Sequence, residues 1–366
     1  MKRGLLIFLL CGAIVLGLQN CKHEIPDPPR WGDEDSLYVG TPHIIEKPFR
    51  FPNITNPYKD SLTEEGIELG RRLFYDKHLS STGQLSCASC HKQEFAFSDA
   101  PLAKSTNVFG PTRRNSPPIQ NLLWSSKLFW DGRVSTLADQ AKDAGHGELN
   151  MSIPNAVSYL SADTTYTRLF KKAFGRPGDV TEQKIYDALQ QFMLTLISSE
   201  SKFDSAQRGL AQFTASELRG FQVFQTETGD CFHCHTDGFS YTMTDNLFRN
   251  NGLDSATSIG QFTDGGRGEI TGISDDYGRF RDPSMRNIAL TGPYMHDGRF
   301  ATLQQVVDFY SEGNKLSPTI DPIMLKPSHA NGGVHLSSSD KQALIDFLNT
   351  LTDYKFITNP KFKDPF

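Results

Sequence analysis

The sequence predicts an all-α fold made of two similar units. Three observations carry this reading. The periodic segments have helical spacing, and sustained strand alternation is absent. A Cys-x-x-Cys-His motif occurs twice, as Cys87-Ala88-Ser89-Cys90-His91 and Cys231-Phe232-His233-Cys234-His235. A further segment repeats at a constant offset of 166: Pro117, Asn121, Asp131-Gly132-Arg133 and Thr136-Leu137 recur as Pro283, Asn287, Asp297-Gly298-Arg299 and Thr302-Leu303. Each copy follows its own Cys-x-x-Cys-His motif, and each motif follows its own capped helix.

The elements follow in chain order. Met1-Lys2-Arg3 precedes an apolar run from Leu5 to Leu18. Positive charge before a short apolar stretch is a signal-peptide pattern, and 14 residues are too few for a comfortable membrane span. Residues 1–20 are therefore read as a leader. Cys21 follows directly, which leaves two readings open: an ordinary signal peptide, or a lipoprotein leader with Cys21 as the acylated anchor. Residues 21–58 carry seven prolines and form a tether or an arm lying over the protein. Residues 59–200 form the first unit. There Thr63 caps a helix through Ile67, Leu69 and Leu73-Phe74, and 181–197 place Ile185, Leu189, Phe192 and Leu196 on one face. Residues 201–366 form the second unit, joined to the first near 198–213. Thr214-Ala215-Ser216-Glu217 is a capping box ahead of Leu218, Phe221 and Phe224, and a last helix runs from about Ser338 to Leu351. The shared Asp-Gly-Arg reads as a turn that starts a helix, with Asp as cap and Gly left-handed.

Cys-x-x-Cys-His is the attachment pattern of a c-type haem: the thiols add across the porphyrin vinyl groups, and the adjacent His ligates iron. Structural zinc needs a second pair a short spacing away, whereas these pairs stand 144 residues apart. A thioredoxin-like dithiol would not repeat with a trailing His. Two covalent haems are expected, one on Cys87, Cys90 and His91 and one on Cys231, Cys234 and His235. Arg133 and Arg299 are candidate partners of the haem propionates. Cys11 and Cys21 are the only other cysteines, so no disulfide is expected. Covalent haem is attached outside the bacterial cytoplasm, which agrees with the leader and points to the periplasm. A net charge of −5, or −7 without Lys2 and Arg3, excludes a general nucleic-acid binder.

The halves differ where an iron would need its second ligand. At offset 166, Trp130 matches His296 and Ala144 matches Tyr310. No His or Met lies between His91 and Asn115. An iron with His on one side and nothing on the other is open to peroxide. The second half offers His296, Met295, Met285, Met243 and Tyr310 as ligands, and spacing does not choose among them. Each Met also has an ordinary role in packing.

Cys87 to His91, Arg114-Asn115-Ser116-Pro117, Phe129-Trp130-Asp131-Gly132-Arg133, Arg286 to Thr291 and Pro293-Tyr294-Met295-His296-Asp297-Gly298 together resemble the bacterial di-haem cytochrome c peroxidase and MauG superfamily. The resemblance runs from about Leu62 to Asp353. It implies two cytochrome-c-like haem domains, peroxidatic in the first half and electron-transferring in the second. His91 and His235 resemble the proximal ligands, and Trp130 the tryptophan between the haems. Asn115, with the carbonyls of Thr291 and Pro293, resembles an inter-haem calcium site. Glu148 in Glu148-Leu149-Asn150 resembles the distal acid–base group, two residues closer to the Trp-Asp-Gly-Arg motif than in the peroxidases. The loop from Lys92 to Arg114 lacks the His that blocks reductively activated members, so the first iron should be open at rest. Tyr310 stands where peroxidases have Met and the MauG branch has Tyr, which implies a distal phenolate ligand and a lower potential for the second haem.

The expected activity is a periplasmic peroxidase that reduces hydrogen peroxide to water with electrons from a small donor protein, a cytochrome c or cupredoxin. Two alternatives stand beside it: a MauG-like oxidase acting on a protein or organic substrate, and a non-catalytic di-haem electron carrier. Family members are often dimers, so the resemblance also admits a homodimer.

Overall fold

Thr63, Thr181, Thr214 and Ser337 open the long helices that the periodicity predicts. Each lies in extended backbone, and its hydroxyl accepts a first-turn N–H that would otherwise lack a partner. The computed structural model describes residues 40–102, 104–175, 177–235 and 241–366. The leader, Cys21 and the first part of the proline-rich arm lie outside the described residues. The helices are α1 (Glu64–Tyr75), α2 (Cys87–Cys90), α3 (Leu137–Gly147), α4 (Ile153–Ala162), α5 (Thr164–Phe174), α6 (Glu182–Leu194), α7 (Lys202–Gln207), α8 (Ala215–Phe224), α9 (Gly268–Thr271), α10 (Leu303–Asp308), α11 (Ser338–Asn349) and α12 (Tyr354–Thr358). Strand is confined, among the described residues, to two antiparallel pairs: β1 (Thr106–Asn107) with β2 (Gly110–Pro111), and β3 (Phe248–Arg249) with β4 (Phe280–Arg281).

In the first half α1 packs on α6, and in the second α8 packs on α11. Glycine sets both crossings. A Cβ on Gly70 would lie 1.9 Å from the Ala188 carbonyl oxygen, and one on Gly220 would lie 1.8 Å from that of Ala343. Only glycine permits backbones this close. The loops after each Cys-x-x-Cys-His motif also match at offset 166. Asn121 and Asn287 are left-handed at φ 55° and 57°, and each leads a 3₁₀ turn. Phe129 and Met295 are left-handed at 63° and 73°, and Gly132 and Gly298 at 70° and 71°. Thr136 and Thr302 cap α3 and α10. One expectation is corrected here. Asp131 and Asp297 do not cap helices; each accepts the N–H two residues on, from Arg133 and Arg299, and so tightens the turn.

Packing does not follow the sequence boundaries. One apolar cluster draws on 62–196 together with Phe356 and Phe362. The other runs from Phe203 to Leu351 and includes Phe51 from the proline-rich arm. Phe51 packs on Trp124 at 4.8 Å, and the Trp124 indole donates to the Pro52 carbonyl at 2.9 Å. At the other end Tyr75 donates to the Phe362 carbonyl at 2.7 Å, and Gln93 donates to that of Asn359. The arm thus reaches both cores, with Ile45 and Ile54 on the first and Phe51 on the second, and the C-terminal tail serves the first. Short-range periodicity carries no trace of either crossing.

Candidate active site

Each Cys-x-x-Cys-His motif opens into its own cavity. The first holds about 1370 Å³ of free space counting its mouth, with Cys87, Cys90, His91, Asn115, Trp130, Arg133, Ala144 and Glu148 in its wall. The second, about 1650 Å³, has Cys231, Cys234, His235, Asn115, Trp130, Met285, Thr291, Pro293, Met295, His296 and Tyr310. Asn115 and Trp130 belong to both. The Trp130 indole donates to the Asn115 carbonyl at 2.8 Å, which fixes the ring at the shared wall.

The residues present fit a haem in each cavity. His91 donates Nδ1–H to the Phe97 carbonyl at 2.8 Å, and His235 does so to Pro283 at 3.1 Å. That bond sets the tautomer and leaves Nε2 as the free base. Burial keeps both rings neutral, lowering His235 to about 4 and His91 in the same direction. Burial also pushes the thiols up, Cys87 and Cys231 to about 12. All four are unpaired, and the two pairs lie in separate cavities, which does not suit a shared zinc.

Glu148 is the C-cap residue of α3. Asn107 on β1 donates its amide to Glu148 Oε2, and the Val108 N–H binds the Glu148 carbonyl at 3.2 Å. Gln140 and Ala144 precede Glu148 by eight and four residues and line the same cavity, a helical stripe aimed inward. Sequence reasoning missed Gln140, although counting back from Glu148 in steps of four finds it. Asn107 had no local signal. Arg133 lines the first cavity, paired with Asp131 and Asp143 and lying 3.5 Å from the Phe129 ring centre.

The second cavity sorts the ligand candidates. Tyr310 sits in a π-helical turn over Phe309–Gly313, a distortion frequent at functional sites, and its hydroxyl accepts from Asn251 at 2.9 Å. Burial raises its pKa, so losing the phenolic proton needs a cation alongside. His296 is stacked on Phe280 at 3.7 Å and 9°, and burial lowers it to about 4. Met243 is buried in the core outside the cavity wall. The structure does not bring Arg299 to this cavity: it pairs with Asp254 and Asp297. Arg249 and Arg281, which the repeat did not single out, line the cavity instead.

Asn115, Thr291 and Pro293 all line the second cavity. Asn115 Nδ2 donates to the Pro293 carbonyl at 2.9 Å, so the amide nitrogen rather than its oxygen faces that carbonyl. The set includes no carboxylate. As oriented, with the amide nitrogen toward the Pro293 carbonyl, it does not fit calcium.

A family model described as di-haem cytochrome c peroxidase matches residues 64–212. The methylamine utilization protein MauG of Methylorubrum extorquens is 33% identical over 309 residues, 83% of each chain. The chain belongs to the di-haem cytochrome c peroxidase and MauG family. The cytochrome-c peroxidase IdrP1 of Pseudomonas sp. strain SCT is 30% identical over 330 residues, 82% of this chain and 84% of that one. The crystal structure of a MauG-like protein associated with microbial copper homeostasis superposes with a TM-score of 0.74 at 35% identity, covering 92% of this chain and 99% of that one. The diheme peroxidase BthA from Burkholderia thailandensis, at 20% identity and a TM-score of 0.68, shares the fold. The family implies haem cofactors, peroxide as substrate and oxidoreductase chemistry.

Proposed function

We propose that this family member consumes hydrogen peroxide in the first cavity and draws the electrons, through the second, from a protein or organic molecule at its surface. Tyr310, half-buried in the wall of the second cavity, carries this reading, because a phenolate donor favours the oxidised metal. Haem, attached at Cys87–Cys90 and Cys231–Cys234 and ligated by His91 and His235, supplies the iron chemistry when bound. The chain supplies the rest. Glu148, held by Asn107, takes a proton from the near peroxide oxygen and returns it to the departing one. Trp130 lies on the electron path, because it walls both cavities. Peroxide takes up two electrons and two protons and leaves as two waters.

A second reading keeps this chemistry and takes the electrons from a small cytochrome or cupredoxin; the peroxidase relatives support it. Two haems related by gene duplication fit the matched turns at offset 166. The leader favours a periplasmic location, with Cys21 as an optional lipid anchor. Stopped-flow mixing of the ferric two-haem protein with peroxide tests the proposal. Glu148→Gln should slow the reaction by roughly 10²–10⁴-fold with both haem spectra intact. An unchanged rate refutes the role of Glu148, and steady turnover with a reduced cytochrome selects the second reading.

A further inference from the structure

Two backbone bonds tie the halves together reciprocally. Asn115 N–H donates to the His296 carbonyl at 2.8 Å, and Arg281 N–H donates to the Trp130 carbonyl at 2.8 Å. These are one bond seen twice, because 115 and 281, and 130 and 296, are each 166 apart. The side chains break the symmetry. On one side stands a neutral amide shared by both cavities; on the other, an arginine lining the second.

Arg281 is nine-tenths buried, and among the described residues no carboxylate lies within ion-pairing distance of it. Its neighbour Asp282 is turned to Arg249, which also holds Asp245. Arg281 Nε donates to the Phe129 carbonyl at 3.4 Å and Nη1 to Asn246 Oδ1 at 3.1 Å. Nη2 finds no acceptor among the described residues. A buried cation with spare donors on a cavity wall calls for an anion there. Burial, only partly opposed by the charge of Asp282, draws Arg281 down to about 10.

We propose that Arg281 is a positioning residue with two tasks: it clamps the Phe129-Trp130 segment by two successive carbonyls, and it pairs with a carboxylate on the edge of the group bound in the second cavity. This rests on the reading that a haem, whose propionates are such carboxylates, binds there. A fixed positive charge beside the iron disfavours its ferric state, so Arg281 raises the potential of the His235 haem.

The test uses purified two-haem protein and spectroelectrochemical titration, which does not depend on turnover. Arg281→Met should lower the potential of the His235 haem and leave that of the His91 haem in place. Arg281→Lys keeps the charge but not the fork: the potential should stay near the parent's, while electron equilibration between the haems slows. A His235-haem potential unmoved in Arg281→Met, or a fall of equal size at both haems, overturns the proposal and leaves the haem reading standing. Fewer than two haems in the unmodified protein, counted as pyridine haemochrome, overturns both.

Discussion

Ala144 and Tyr310 stand 166 residues apart, Ala144 on α3 and Tyr310 in the π-helical turn that follows α10, and each lines its own cavity. Ala144 brings a methyl to the wall; Tyr310 brings a phenol bonded to Asn251. The helical wall therefore leaves room in the first cavity and fills it in the second. The acid–base side follows the same division, because Glu148 borders the first cavity and its counterpart Asn314 does not border the second. Met193 also lines the first cavity, but the glycine crossings make it the equivalent of Leu348, which lines the second. A wall position that accepts leucine is a packing position, so Met193 is not read as a ligand. One frame can thus carry two chemistries through a few side-chain sizes and charges.

Ala144→Tyr should break the contrast most severely. A ring there takes up space in the cavity that His91 lines, and reaction with peroxide should fall by more than the roughly 10²-fold that loss of one proton-transfer group costs. The ferric EPR spectrum should lose its high-spin signal; a rate near the parent's would show that residue 144 does not gate the cavity. Asn107→Ala acts more gently on the same side. Removing the amide frees the Glu148 carboxylate, and a hydrogen bond to a charged group is worth about 1.5–3 kcal/mol. The peroxide rate should drop about tenfold with normal haem spectra, and an unchanged rate would mean that Glu148 is placed without Asn107.

The sequence made the frame legible where local chemistry decides it. Thr63 and Thr214 cap helices as their patterns imply, the helices near 181–197 and after Ser337 form with caps the sequence reading did not name, and the two motifs place thiols and histidine in two separate cavities. Glu148, Trp130 and Tyr310 were visible through family resemblance, and each lines a cavity. Long-range partners were not legible. Asn107 lies 41 residues from Glu148, and Arg281 lies 151 from Trp130, with no pattern linking either pair. Arg299 misled because its repeat partner Arg133 does line a cavity, while Asp254 draws Arg299 away.

On the second side, Tyr310→Phe removes the phenol oxygen and takes away the stronger acceptor of the Asn251 amide. Asn251 is half-buried and keeps only its long contact to Met295 Sδ at 3.8 Å, so the loss should cost about 1 kcal/mol of stability, read as a lower chemical-denaturation midpoint. The potential of the second haem should rise as the hard donor disappears. If both the potential and the spin state hold, Tyr310 is a wall residue like Met193, and the contrast rests on space alone.

The smallest effect concerns charge. Burial, opposed by Arg249, raises Asp282 from its ordinary 3.8 to about 7. Its counterpart at offset 166 is Ser116, so the first cavity has no equivalent carboxylate. A group that holds its proton more tightly when folded adds stability that is fully present below about pH 4 and lost as pH rises through about 7. His296, lowered to about 4 by burial, acts oppositely: its contribution is present above about 6.5 and lost as pH falls toward 4. Thermal melts from pH 6.5 to 8 isolate Asp282. The parent should lose stability across that window, and Asp282→Asn should flatten the slope, each pKa unit being worth about 1.4 kcal/mol. Equal slopes in parent and variant would place the pH sensitivity outside the Arg249 cluster and leave Arg281 as the charge that distinguishes the halves.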